Sequence, residues 1–333
     1  MVVPLKGISM DQRVFYVPAC LLIGMMVLVS GCSHPAQESG LPSSMTSGDL
    51  ALFVQEAAAF SANSGKEAAL HEFNRDSGSF TRGNLYVYAY DNQGTLLAHP
   101  YQKESIGLNR LNWTDTRGLP VIRIGAHVAE NGGGFITYLY PSPEEGRINE
   151  SSRDSYVVKI GYVYPAGDDW WIGSGIYLDD LEEGSPGAVR DAVPRMTSLV
   201  KQGAAYGREH SSAEAFAEIS NRSGMFVDSD AHYLYAYTYN GTLLAHPHLP
   251  NLIGTSLIER QDPFGMKNIR ALSETARTGG GYIVFVWPNP ERGNRQELKI
   301  GYVLPVDENW WLGSGVYLHE LTGIDTSYPV PTR

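Results

Sequence analysis

Gly94-Thr-Leu-Leu-Ala-His-Pro100 is repeated letter for letter as Gly241-Thr-Leu-Leu-Ala-His-Pro247, 147 residues further on. Working outward, the same displacement matches Tyr86-Val-Tyr-Ala-Tyr90 to Tyr233-Leu-Tyr-Ala-Tyr237, and Gly132-Gly-Gly134 to Gly279-Gly-Gly281. Downstream the displacement falls to 140. Lys159-Ile-Gly-Tyr-Val163 then matches Lys299 to Val303, and Trp170-Trp-Ile-Gly-Ser-Gly-Ile-Tyr-Leu178 matches Trp310 to Leu318. Copy one therefore carries a hairpin longer by seven residues, within Arg147 to Ser155. Self-similarity at a fixed period is the signature of duplication, so two copies of one domain are expected.

Composition agrees. The chain has 333 residues, enough for two domains, and its 43% apolar content excludes disorder for most of its length. A net charge of −11, from 25 basic and 36 acidic residues, opposes a nucleic-acid partner. The 20 Tyr and 6 Trp suit strands and ligand pockets.

The N-terminus reads as a targeting signal. Lys6 and Arg13 precede an apolar run from Val14 to Val29, and Val29-Ser30-Gly31-Cys32 follows it. That layout resembles a secretory signal peptide with a lipoprotein cleavage box, which implies cleavage before Cys32 and lipidation of its thiol. The alternative is a short transmembrane anchor with an incidental cysteine. Either places the remainder outside the cytoplasm, on the extracytoplasmic face of the cell membrane. Residues 33–47 are rich in Ser, Pro and Gly and read as a flexible tether. The only other cysteine, Cys20, lies in the apolar run, so the mature domains have no disulfide or thiol chemistry.

Each copy has the same grammar. Ser47 or Asp49 caps a helix over Leu50 to Ser61, and a second segment spans Lys66 to Arg75. In copy two Pro194 suits a first helical turn, and Ala213 to Asn221 matches the second segment. Tyr86, Tyr88 and Tyr90 fall on one face of a strand. A short helix, Val121 to Glu130 or Asn268 to Thr278, stops at the glycine triplet. Strands over Phe135–Tyr140, Tyr156–Tyr164 and Trp170–Tyr177 form a meander. Trp170 and Trp171 point to opposite faces, one expected in the core and the other over an edge. Helices followed by an antiparallel sheet give an α+β fold class, and a helix crossing between the second and third of five strands is PAS-like order.

These residues resemble a Cache domain of the second type, an extracytoplasmic sensor module of chemoreceptors and histidine kinases. The matching pieces are Asp115-x-x-Gly118, Gly132-Gly-Gly-Phe-Ile-Thr-Tyr138, Lys159-Ile-Gly-Tyr162 and Trp171 to Tyr177, followed by Asp179-Asp180. Copy two matches with Asp262, Gly265, Gly281-Tyr282, Lys299, Tyr302 and Trp311 to Tyr317, and departs where His319-Glu320 replaces the acidic pair. The resemblance implies two tandem PAS-like Cache domains, each with an N-terminal helical stretch and a five-stranded antiparallel sheet over a small-ligand pocket. It implies short carboxylates or amino acids as ligands. The expected division is 1–31 signal peptide, 32–47 tether, 48–181 first domain, 182–191 linker, 192–320 second domain and 321–333 tail.

The candidate ligand residues are Arg123, Lys159, His99, Tyr88 and Tyr138 in copy one, and Arg270, Lys299, His246 and Tyr235 in copy two. Arginine grips a carboxylate with two parallel bonds, lysine adds a point charge, and tyrosines supply donors in an apolar wall. Each has a plainer reading: a sheet wall, a turn histidine, a helix arginine paired with Asp115, a solvated strand end. The sequence lacks a nucleophile elbow, an HExxH motif and a P-loop, and His246-Pro-His248 is a weak metal pattern. The expectation is a non-enzyme without cofactor or metal. It is a lipid-anchored small-molecule sensor lacking its own signalling output, with a transmembrane signalling partner and a possible homodimer. The competing expectation is a structural or adhesive surface protein using the domains as spacers.

Overall fold

A computed structural model describes residues 45–142, 156–181, 189–229 and 232–323. The expected signal peptide, Cys32 and nearly all of the tether lie outside the described residues, as does most of the long hairpin of copy one. Copy one opens with α1 (Ser47–Ser64) and α2 (Lys66–Phe73). Thr46 caps α1, one residue before the expected cap. Its Oγ1 accepts the Asp49 N–H at 3.1 Å while the Asp49 carboxylate takes the Thr46 N–H at 2.9 Å. Leu50, Phe53 and Ala57 form the buried stripe of α1.

A small hairpin, β1 (Thr81–Arg82) and β2 (Leu85–Tyr86), leads into β3 (Tyr88–Asp91) and β4 (Leu96–Ala98). Then come α3 (Val121–Glu130), β5 (Gly134–Pro141), β6 (Tyr156–Pro165) and β7 (Trp170–Tyr177). The sheet order is β4-β3-β7-β6-β5, with every pair antiparallel. Because β4 and β5 are opposite edges, the connection carrying α3 must cross one face of the sheet. The other face is covered by α1, which packs on β6 and β7.

Copy two repeats this with α4 (Val189–Glu209), α5 (Ser212–Ser220), β8 (Tyr235–Thr238), β9 (Leu243–Ala245), α6 (Asn268–Arg277), β10 (Gly281–Asn289), β11 (Arg295–Pro305) and β12 (Trp310–Tyr317). Its sheet order, β9-β8-β12-β11-β10, is that of copy one. A last short helix, α7 (Leu318–Thr322), closes the described chain. The fold is therefore α+β with two five-stranded antiparallel sheets.

Two local expectations change. The helix of copy two begins at Val189, so Pro194 lies inside it rather than in its first turn, and one internal hydrogen bond is forgone. Both tryptophans of copy one are buried, Trp170 at 3% and Trp171 at 1% exposure. Helices cover both faces of the sheet, so neither ring is left over an edge.

The copies touch. Met45 forms a parallel bridge with Leu181, and the Ser47 hydroxyl donates to the Thr322 carbonyl at 3.5 Å. The start of copy one, its end and the end of copy two thus meet at one seam. At a second contact Arg123 Nη1 donates to the Phe264 carbonyl at 3.4 Å, and the His127 and Phe264 rings lie 5.7 Å apart.

Candidate functional site

Cross-strand partners project to the same face of a sheet. Lys159 on β6 stands opposite Tyr138 on β5 and Tyr177 on β7. Its neighbours along that face are glycines, and the reason is steric. A Cβ on Gly175 would lie 2.9 Å from Lys159 Cε, and one on Gly173 would lie 2.6 Å from the Tyr88 hydroxyl. Gly315 and Gly313 repeat the arrangement under Lys299 and Tyr235. The Gly-Ser-Gly of each copy makes room for a lysine and a tyrosine lying flat on the sheet. Ser174 Oγ donates to the Tyr86 carbonyl at 2.7 Å and Ser314 Oγ to the Tyr233 carbonyl at 2.8 Å, tying the tyrosine segment to the central strand.

Between this face and α3 lies a cavity of about 20 Å³, here chamber one. Tyr86, Tyr88 and Tyr90 form its floor, Tyr138 and Tyr140 one side, His99, Arg110 and Trp113 the rim, and Val121 and Ile122 its roof. Lys159 sits just behind the floor. Its Nζ donates to the Tyr86 hydroxyl at 3.2 Å and lies 4.4, 4.6 and 5.3 Å from the ring centres of Tyr86, Tyr177 and Tyr140. The residue is 1% exposed. Burial pushes its amine down to about 7, with Asp180 pulling the other way. Among the described residues no carboxylate lies within ion-pair distance of it.

His99 is held neutral: burial, then the charges of Lys159 and Arg110, keep its pKa well below the usual value. Its Nδ1 accepts the Tyr101 N–H at 3.1 Å, which leaves the proton on Nε2. Burial raises Tyr86 and Tyr88 well above the ordinary phenol range, so both remain neutral donors. On the rim, Arg110 Nη1 and the Tyr140 hydroxyl both donate to Gln102 Oε1, at 3.3 and 3.0 Å. The Arg110 guanidinium lies 5.0 Å over Trp113. No acidic side chain lines the chamber.

The Asp115-x-x-Gly118 motif positions the roof. Asp115 Oδ1 accepts the N–H groups of Arg117 and Leu119 at 2.9 and 3.0 Å, and Oδ2 that of Leu139 at 3.2 Å. Burial pushes this carboxyl up to about 6 although these bonds oppose the shift. Asp262 does the same in copy two, accepting from Phe264 and Met266 at 2.9 Å, and is likewise at about 6.

Chamber two, about 10 Å³, lies under α6. Tyr233, Tyr235, Tyr237, His246 and Lys299 line it together with Ile269, Leu272, Phe285 and Trp287, and Phe285 stands directly across the strands from Lys299. Lys299 is pushed down to about 8 by burial against the pull of Glu320 and Glu291. His246 is pushed down to about 3 by burial, then by His248 and Lys299.

The structure brings His99, Tyr88 and Tyr138 together with Lys159 behind them, and brings His246, Tyr235 and Lys299 together in copy two. It does not bring the two helix arginines to either chamber. Val121 and Ile122 face the sheet, so Arg123 one residue on is turned outward and exposed. It donates to Asn112 Oδ1 at 2.6 Å and to the Phe264 carbonyl, not to Asp115. Arg270 is exposed for the same reason and pairs with Glu259, which also takes Lys267 at 2.6 Å. Sequence reasoning passed over Arg110, Gln102, Trp113 and Tyr140. Gln102, Arg110 and Trp113 lie in the loop between His99 and Asp115 and Tyr140 on β5; all four differ between the copies, whereas every candidate but Tyr138 stands where the copies agree.

A family model described as Single Cache domain 2 matches residues 66–191 and 187–324. A curated sensor histidine kinase, MctS of Rhizobium johnstonii, is 33% identical over 90 residues, covering 27% of this chain and 19% of its own length. The chain thus spans about a fifth of that relative. Among solved structures, a methyl-accepting chemotaxis protein from Vibrio parahaemolyticus is 22% identical, with a TM-score of 0.33 over 40% of this chain and 88% of its own. The ligand-binding domain of the Pseudomonas fluorescens chemoreceptor CtaA, in complex with L-alanine, is 13% identical, with a TM-score of 0.24 over 81% and 88%.

Proposed function

The chain belongs to the single Cache domain 2 family, in two tandem copies, and from that premise we propose that it senses short organic acids outside the cytoplasm. The carrying observation is chamber one: a fully buried lysine with no carboxylate partner among the described residues, beside an arginine, a neutral histidine and neutral phenols. A carboxylate supplies a counter-charge for Lys159, and each charge-assisted bond is worth ~1.5–3 kcal/mol. A cavity of about 20 Å³ holds little more than a water, so its ligand has few heavy atoms and displaces that space by small side-chain shifts. The absence of an acidic lining residue disfavours an amino acid, whose ammonium would be unmatched.

We read residues 1–31 as a signal peptide and Cys32 as the lipid attachment, supported by the apolar run and the small residues before the cysteine. Binding, not catalysis, is the role read for the chambers. A second reading, a spacer built on the same fold, is favoured by two observations: both chambers are tight, and Arg270 is committed to Glu259.

A thermal-shift titration of the full chain against short carboxylates separates the two. A ligand at a hundred times its dissociation constant adds about 2.7 kcal/mol. An acid-induced shift lost in Arg110→Ala and kept in Arg123→Ala is the expected result. No shift with any acid on folded protein establishes the spacer.

A further inference from the structure

We propose that the two chambers take different acids. Chamber one takes a short carboxylate carrying a second oxygen beside the carboxyl group, and chamber two takes a short carboxylate with a hydrocarbon tail. This rests on the reading of the chambers as acid sites.

The observation is a coordinated replacement. Gln102, Arg110, Tyr138 and Tyr140 of copy one correspond to Leu249, Leu257, Phe285 and Trp287 of copy two. In copy one the four make a polar wall. Gln102 Oε1 joins Arg110 to Tyr140 at 3.3 and 3.0 Å, and the Tyr138 hydroxyl is the polar neighbour of Tyr88. In copy two Phe285 and Trp287 line the chamber, while Leu249 and Leu257 pack on the core around it. The one arginine gained nearby, Arg260 in place of Trp113, lies 4.2 Å over the Trp287 ring and does not line the chamber.

What persists in the lining is His246, Tyr235 and Lys299. The buried Tyr235 hydroxyl has lost its neighbour to Phe285 and has no hydrogen-bond partner among the described residues. Chamber two therefore keeps Lys299 and this free hydroxyl for a carboxylate, while the rest of its former polar lining is replaced by hydrocarbon. Chamber one offers donors on both sides. A second oxygen placed against Phe285 and Trp287 would be buried without a bond. A methyl group placed against Arg110 and Tyr140 would cover polar groups and return no bond.

Pyruvate and isobutyrate test this, because they have the same heavy-atom count and branching and differ in an oxygen against a methyl. Calorimetric titrations use the full chain and its Arg110→Leu and Lys299→Met variants. Lys299→Met is expected to keep pyruvate and lose isobutyrate at least tenfold. Arg110→Leu is expected to do the reverse. The double variant Phe285→Tyr with Trp287→Tyr, which fills chamber two with hydroxyls, should shift its preference at least tenfold toward pyruvate, and it decides the matter if either single variant fails to fold. The same pyruvate-to-isobutyrate ratio in all four proteins overturns the division and leaves acid binding intact. No heat with either acid overturns both.

Discussion

At the scale of single residues, the lysines set the chemistry. Lys159 is an amine at about 7 before any ligand arrives, because burial disfavours its charge. An anion bound beside it favours the charged form and raises that value. Binding at pH 8 should therefore take up a proton, and affinity should fall as pH rises above 7. Titrations in phosphate and in Tris, whose ionisation heats differ, should give different binding enthalpies. Lys159→Met should remove the difference, and equal enthalpies in the wild-type protein would count against Lys159 as the anion's partner. The same shift bears on stability. The folded value is lowered from 10.5, so the unfolded chain binds more protons between about 7 and 10.5. The unliganded protein gains stability from this group as pH rises through that window, and Lys159→Met should flatten that part of the denaturation profile.

At the scale of elements, the crossing helix and the glycine-bearing strand do the positioning. Asp115→Ala strands three backbone donors beneath α3, a loss of about 2–3 kcal/mol that a urea titration would register. Gly175→Ala drives a methyl into Lys159 and the Ile160 carbonyl, at 2.9 and 3.0 Å, and should cost about 1–3 kcal/mol. A stability equal to wild type would show that Lys159 does not lie flat on the strand. Much of this layer was legible. The strands, the crossing helix and its glycine stop followed from alternation and from the repeat, and the lysines, histidines and tyrosines fell where the repeat placed them. The helix arginines did not, since one residue is a hundred degrees on a helix and no repeat records which way a face turns. Arg110 and Gln102 escaped for the opposite reason. They mark where the copies diverge, and apart from Tyr138 the repeat drew attention to positions where they agree.

At the scale of the whole molecule, no helix among the described residues is long and apolar enough to cross a membrane. The proposed attachment at Cys32 has its own test. Cys32→Ser should abolish incorporation of labelled palmitate and release the protein from the membrane fraction, with the melting temperature of the folded body unchanged. Retention of label would refute the assignment.

The bridge from Met45 to Leu181, with Ser47 against Thr322, has a mechanical side. A pull travelling down the chain toward Met45 meets first the joint where three segments converge. Tension would be spent peeling that joint before it deformed either sheet, so the two chambers are insulated from the strain of whatever holds the protein in place.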